Sequence, residues 1–151
     1  MKIPYEEDLE LNVSTLALPD AYDKEVSLSS FKGQVLVLSG GGQGSISEGK
    51  KWDAALHKEA EARGDFKFIA IGFVGKLPPF VPKGMIKEQV KKGPMTLLDW
   101  KGEAEKLLGL LSPNFVHVFV VDKEGFLRYK LVDNYSPSGV QKVLQKVESL
   151  K

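Results

Sequence analysis

One segment constrains the fold more than any other: an apolar strand that runs into a glycine cluster and then into a helical pattern. Residues 35–38 read V-L-V-L, which is typical of a strand covered on both faces. Glycines follow at 40–42 and 44, and residues 45–63 repeat apolar positions at helical spacing, with Gly64 at the C-terminal cap. This succession predicts an α/β fold, with a sheet between layers of helices.

The remaining segments extend the pattern along the chain. Residues 9–18 alternate apolar and polar and predict an edge strand, which a short strand at 26–28 joins in an N-terminal β-hairpin. Further predicted elements are strands at 66–74, 96–98, 116–121 and 127–132, and helices at 83–92, 103–108 and after Ser136-Pro137. We expect one domain over 1–151, with an N-terminal tail at 1–10 and a Pro/Lys-rich insertion at 75–93.

Composition excludes several chemistries. The chain has no cysteine, which removes disulfides, thiolate nucleophiles and thiolate metal sites together. A net charge of +1 gives no overall attraction for nucleic acid or an anionic membrane. No segment has the roughly 20 apolar residues of a membrane span, and the N-terminus lacks a signal-peptide core, so we expect a cytoplasmic protein. The Lys- and Glu-rich charge usage is compatible with a thermophilic source.

Three blocks of sequence carry a family resemblance. They read L-P-D-A-Y-D-K-E-V-S-L-S-S-F-K-G-Q-V-L-V-L at 18–38, P-M-T-L-L-D-W-K-G-E-A-E-K-L-L-G-L at 94–110 and F-V-V-D-K-E-G-F-L-R-Y-K at 119–130. In this order they resemble thioredoxin-like proteins of the peroxiredoxin and thiol-disulfide oxidoreductase branch. The resemblance implies a thioredoxin-like three-layer α/β/α fold, with a central mixed sheet and an N-terminal β-hairpin extension.

The redox motif of that family is missing from this chain. The family carries Cys-x-x-Cys or Thr-x-x-Cys after the strand that corresponds to 35–38, and the resemblance places Gly44-Ser45-Ile46-Ser47 there. Ser47 stands where both branches keep a cysteine, and a serine hydroxyl forms neither a thiolate nor a disulfide. Thioredoxins also place a cis-proline just before the strand that corresponds to 116–121. Here that position is at or near Val116, and the nearest proline is Pro113, whose isomer the sequence leaves open.

We expect the glycines of this turn merely to fill the space that a redox motif takes in the family, and two alternative interpretations remain open. G-S-I-S-E-G-K-K at 44–51 matches Gly-x-x-x-x-Gly-Lys, but Lys51 replaces the Ser or Thr that would hold Mg²⁺. A small anion resting on the free amides of 42–45 is the second alternative. A serine nucleophile needs a base, and His57 lies about 15 Å farther along the same helix. We expect His117 to be a packed, hydrogen-bonded strand histidine.

Two functional hypotheses follow. The first is a redox-inactive thioredoxin-fold binding or interaction module, whose partner is a protein or a small anionic ligand. Its candidate binding residues are Gly42, Gln43, Gly44, Ser45, Ser47, Phe80, Pro113 and Val116. The second is an enzyme: a peroxiredoxin- or thioredoxin-like oxidoreductase by descent that uses residual or externally supplied thiol activity, or a phosphate- or nucleotide-binding protein. The sequence predicts no cofactor, no metal site and no catalytic residue, and it leaves a homodimer open.

The insertion at 75–93 has its own interpretations. The lysines at 83, 87, 91 and 92 are typical of a solvated helix face. The stretch G-K-L-P-P-F-V-P at 75–82 suits a preformed contact surface, because its prolines restrict the chain before anything binds. A lid folded over the glycine-rich turn is the alternative.

Overall fold

A six-stranded mixed sheet forms the centre of the molecule. The computed structural model describes residues 2–151. Its strands are β1 (Tyr5–Asn12), β2 (Ala17–Pro19), β3 (Glu25–Ser27), β4 (Val35–Gly41), β5 (Phe66–Gly72), β6 (Thr96–Leu98), β7 (Val116–Val121) and β8 (Phe126–Asp133), and its helices are α1 (Ile46–Arg63), α2 (Lys83–Val90), α3 (Glu103–Leu108) and α4 (Pro137–Leu150). The sheet order is β1-β8-β7-β4-β5-β6. The β4–β5 and β5–β6 pairs are parallel and the others are antiparallel.

Helices and a hairpin cover the two faces of this sheet. Side chains alternate along a strand, so Val35 and Val37 of β4 face α1 and α4, while Leu36 and Leu38 face the opposite core. That second core is closed by α3 and by the β2–β3 hairpin, which supply Leu108, Leu18 and Val26 among others. The three-layer α/β/α arrangement expected from the sequence is confirmed.

The N-terminus differs from the expectation in its boundaries. Residues 1–10 were expected as a tail and 9–18 as one strand, but β1 already begins at Tyr5 and pairs with β8. The strand ends because Asn12 Oδ1 accepts hydrogen bonds from the amide and the hydroxyl of Ser14, at 3.0 and 2.7 Å, which turns the chain. The predicted hairpin therefore consists of β2 and β3 alone.

The two long helices have the ends that their sequences predict. Gly64 closes α1 in the left-handed region at φ 69°, and its amide bonds the Ala60 carbonyl. The Ser136 hydroxyl caps α4 by accepting from the Gly139 amide at 3.0 Å. The glycine-rich turn joins the end of β4 directly to the start of α1, so the packing of these two elements sets its position.

Helix α2 packs unlike the others. None of its residues is buried, and Met85, which the apolar pattern places inward, is 54% exposed. Ile86 and Val90 are half-buried. Lysines add further contacts, because Lys87 pairs with Asp23 and Lys91, at the C-cap, lies over the Tyr22 ring. In the described part of the chain, every helix is too short or too polar to cross a bilayer.

Candidate functional site

The glycine-rich turn lies at the end of β4 and packs against the segment before β7. A Cβ on Gly42 would lie 2.6 Å from the Pro113 Cβ, and one on Gly44 would lie 2.4 Å from the Asn114 Oδ1. Gly41 is equally restricted, because its Cβ would meet the Ser45 hydroxyl. These glycines are thus required by close approach of the two segments, and Asn114 takes the space that a side chain at position 44 would fill.

The two serines of the candidate motif lie in different environments. Ser45 is 3% exposed, and its hydroxyl donates to the Gly42 carbonyl at 3.0 Å, so it closes the turn from within. Ser47 is exposed in the first turn of α1. The position that the resemblance equates with the family cysteine is therefore accessible at a helix N-terminus, which is where a thiol would be activated.

The turn lacks the geometry of a phosphate-binding loop. Helix α1 begins at Ile46, so Gly49, Lys50 and Lys51 are already helical instead of wrapping around a ligand. Lys51 is also paired with Glu48, its Nζ 3.1 Å from the carboxylate. The pKa of Glu48 is lowered, mainly by its hydrogen bond with Lys51 and to a lesser extent by the one from the Tyr135 amide.

Three of the predicted binding residues do not line a groove at the turn as expected. Val116 is fully buried between the sheet and α1, because it is the first residue of the central strand β7. Phe80 is 83% exposed, so it is not folded down as a lid over the turn. Ser45 points into the turn, as described above. Of the predicted binding residues, Gln43, Gly44, Ser47 and Pro113 are exposed, and so is the neighbouring Asn114.

Pro113 contacts the turn without a cis bond. Among residues 2–151 the cis peptide bond is Ile3-Pro4, so Ser112-Pro113 is trans.

Two exposed apolar residues lie next to the turn. Ile46, 60% exposed, follows the turn, and Leu111, 48% exposed, precedes Pro113. We use the name turn face for the exposed residues of the turn, of the start of α1 and of the segment before β7, namely Gln43, Gly44, Ile46, Ser47, Leu111, Pro113 and Asn114.

Both histidines are unsuited to activate Ser47. His57 lies ten residues beyond Ser47 on α1, next to Glu61. His117 is fully buried and uses both ring nitrogens: Nε2 accepts from the Leu111 amide at 2.9 Å and Nδ1 contacts the Phe115 carbonyl at 3.1 Å. Burial lowers the pKa of His117 to about 4, and Lys130 acts in the same direction. The expected packed strand histidine is confirmed.

Sequence reasoning missed a half-buried acid on α1, Asp53, whose pKa is shifted. Asp53, on α1, faces the hydroxyl of Ser39 on β4, and that hydroxyl is almost fully buried without a well-formed hydrogen bond. Burial raises the pKa of Asp53 to about 6, and Ser39 opposes this shift. No sequence pattern signals this environment, because it arises from the packing of α1 on β4. Within residues 2–151, no group of three His, Asp or Glu side chains is placed to hold a metal ion.

Comparison with known proteins identifies the fold. No protein-family model and no curated protein sequence matches the chain. Among solved structures, a protein described as thiol:disulfide interchange protein DsbE from Chlorobium tepidum is similar, with a TM-score of 0.71, 19% identity, and 95% of this chain and 97% of that chain covered. BsSco, a member of the Sco family of cytochrome c oxidase assembly proteins, gives 0.69, 15% identity, and 99% and 96% coverage.

A secreted thiol-disulfide isomerase from Corynebacterium glutamicum is also similar, with a TM-score of 0.70, 15% identity, and 94% of this chain and 90% of that chain covered. The chain thus has the thioredoxin-like fold, and its structural neighbours are thiol-disulfide oxidoreductases, although it contains no cysteine itself. The peroxiredoxin part of the resemblance stays a prediction.

Proposed function

We propose that this protein is a redox-inactive thioredoxin-fold module that binds a partner at the turn face. One observation carries the proposal: an exposed serine, Ser47, occupies the first turn of α1 at the position of the family cysteine, in a chain without any cysteine. A serine hydroxyl is too weak an acid for thiolate chemistry even at a helix N-terminus. The scaffold is retained while the group that transfers electrons is absent.

The composition of the turn face favours a polypeptide partner over a small anion. Ile46 and Leu111 are exposed apolar side chains, and Gln43 and Asn114 add amides that donate and accept hydrogen bonds. Part of the turn's own hydrogen-bonding capacity is already used, because the Ser45 amide donates to the Gly42 carbonyl at 3.2 Å. These features support recognition by shape and apolar contact.

A turnover assay tests the redox-inactive part. Reduction of insulin disulfides and consumption of hydrogen peroxide are measured with dithiothreitol as the thiol donor, against heat-denatured protein. We expect no rate above that control. Turnover above it would support an oxidoreductase that uses an external thiol and would overturn the proposal.

A thermal-shift measurement tests the phosphate alternative. Inorganic phosphate and ATP with Mg²⁺ are the probes. We expect no rise in melting temperature, because residues 49–51 are helical and do not form a loop that could wrap around a phosphate. A rise that is lost in Lys50→Met, with Lys58→Met as the control elsewhere on α1, would favour nucleotide binding instead.

A further inference from the structure

Two buried polar side chains lie beneath the segment that packs on the glycine-rich turn. His117 of β7 is fully buried and Lys130 of β8 is 5% exposed. His117 lies on the same face of β7 as Phe119, two residues farther along, and Phe119 belongs to the core closed by α3. The Lys130 Nζ is 5.9 Å from the centre of the Phe119 ring. Both polar groups thus lie on the same face of two adjacent strands, where burial without partners would cost several kcal/mol.

Their partners all belong to one stretch of main chain. The Lys130 Nζ donates to the Gly109 carbonyl at 2.9 Å, and the His117 Nε2 accepts from the Leu111 amide at 2.9 Å. The His117 Nδ1 is 3.1 Å from the Phe115 carbonyl, and since Nε2 is the acceptor, Nδ1 carries the proton and donates. Residues 111–115 lie outside helices and strands. The two side chains therefore supply hydrogen bonds to main-chain groups that, in other segments, are bonded within helices and strands.

The same stretch supplies three of the seven residues of the turn face. Pro113 and Asn114 fill the space beside Gly42 and Gly44, and a Cβ on Gly41 would lie 3.2 Å from the Phe115 carbonyl oxygen. The shape of the face therefore depends on where residues 109–115 are held.

We propose that His117 and Lys130 are positioning residues, which together clamp residues 109–115 onto the glycine-rich turn, and that release of this clamp opens the turn face. The proposal concerns regulation of the same face as the proposed function and rests on it for its biological role. The clamp itself is a property of the free protein, so it is tested without a ligand.

Proton binding gives the clamp a means of release. Lys130 is the charged group that acts on His117, and Glu7 of β1, which pairs in register with Lys130, acts on Lys130. Helix α3 contributes the apolar side chains of Ala104 and Leu108 to this core. Protonated His117 would present an N–H to the Leu111 amide instead of an acceptor, and it would add a second cation near Lys130. Acidification toward pH 4 therefore favours the open arrangement, because the neutral ring is the form that closes it.

Amide hydrogen exchange on the full chain tests the clamp. Protection factors, corrected for intrinsic rates, are measured residue by residue between pH 7 and pH 4 for the wild type, His117→Leu, His117→Gln and Lys130→Met. The glutamine keeps an acceptor near the Nε2 position without the titrating ring. Val118→Ala, on the opposite face of β7, controls for general loss of stability.

At pH 7 we expect at least a tenfold loss of protection at the Leu111 and Ser45 amides in His117→Leu and Lys130→Met, and wild-type protection at Leu111 in His117→Gln. The wild type should lose this protection selectively as the pH falls, while His117→Gln should not. Unchanged protection in His117→Leu, or a uniform loss matching that in Val118→Ala, would overturn the proposal. If His117→Leu does not fold, parallel pH profiles for the wild type and His117→Gln would overturn it. Thiol turnover in the assay above would reject the proposed function and leave this result unaffected.

Discussion

At the scale of single residues, two glycines near the start of α1 have opposite roles. Gly42 is held within van der Waals distance of Pro113, so even a methyl group has no room there. Gly49 lies inside α1, and a Cβ on it would be 4.0 Å from the nearest heavy atom, the Val116 Cγ2. One glycine is required by packing, and the other only costs helix stability.

Alanine substitutions should separate these roles. Gly42→Ala should lower the free energy of unfolding by about 1–3 kcal/mol, because the added carbon forces the two segments apart. Gly49→Ala should raise it by up to about 1 kcal/mol through helix propensity. Urea denaturation of both variants measures the two effects, and a Gly42→Ala protein as stable as the wild type would contradict the packing of the turn on Pro113.

Asp53 and His117 should give opposite pH dependence of stability. The pKa of Asp53 is raised to about 6 in the folded protein, so its favourable contribution is present below about pH 4 and is lost as the pH rises through 6. The pKa of His117 is lowered to about 4, so its contribution is present above about pH 6.5 and is lost on acidification. The two effects offset each other between pH 4 and 6.5.

Two variants expose these effects. Above pH 7, Asp53→Asn should be more stable than the wild type by on the order of 1–3 kcal/mol, and this advantage should shrink toward pH 4. His117→Gln should gain stability relative to the wild type as the pH falls from 7 to 4.5. Urea denaturation across this range measures both differences. Differences that stay constant with pH would show that neither group titrates as its environment indicates.

At the scale of elements, α2 is attached by lysines. Lys83 lies 5.0 Å from the centre of the Trp100 ring, the Lys87 Nζ is 2.7 Å from the Asp23 carboxylate, and the Lys91 Nζ is 4.8 Å from the centre of the Tyr22 ring. The three lysines are four residues apart, which places them on one face of the helix. Exposed contacts of this kind contribute little each and are screened by salt.

Helix α2 should therefore detach without unfolding of the protein. In 1 M NaCl, or in Lys87→Met, hydrogen exchange within 83–90 should accelerate severalfold, while α1 and α4 stay protected and the free energy of unfolding changes by less than about 1 kcal/mol. Lys92→Met, an exposed neighbour beyond the helix, is the matched control. Equal acceleration in both variants would mean that the lysine contacts do not hold α2.

At the scale of the whole molecule, the sequence predicted the layers better than the edges. The buried strand at 35–38 and the apolar stripe of α4 dictate the sheet and one helical layer, because burial on a fixed period leaves few alternatives. Most of β1 was not predicted from the sequence, because the acidic run Glu6-Glu7-Asp8 resembles a solvated tail. In the structure Glu6 and Asp8 pair with Lys142 and Lys146 of α4, which are more than 130 residues distant.

The residues of the candidate site stay a prediction, and their arrangement in the structure differs from the groove expected from the sequence. The resemblance located Ser47 and the glycine-rich turn, and short-range pattern suffices for that. Burial of Val116 and exposure of Phe80 follow from tertiary packing. The pairing of Lys130 with the Gly109 carbonyl and the contact of Asp53 with Ser39 also join segments far apart in sequence. Local periodicity contains no information about such pairs.

Introducing a pair of cysteines at the turn tests most directly whether thiols are all that this scaffold lacks for redox activity. The variant Gly44→Cys/Ser47→Cys, with Asn114→Ala to make room at position 44, is assayed for dithiothreitol-dependent reduction of insulin beside the wild type. We expect turnover in the variant and none in the wild type. A matched variant, Lys58→Cys/Glu61→Cys, has the same spacing farther along α1 and should remain inactive. Turnover by the cysteine-free wild type, or none by the first variant once its disulfide has formed, would contradict the placement of a silent redox site at this turn.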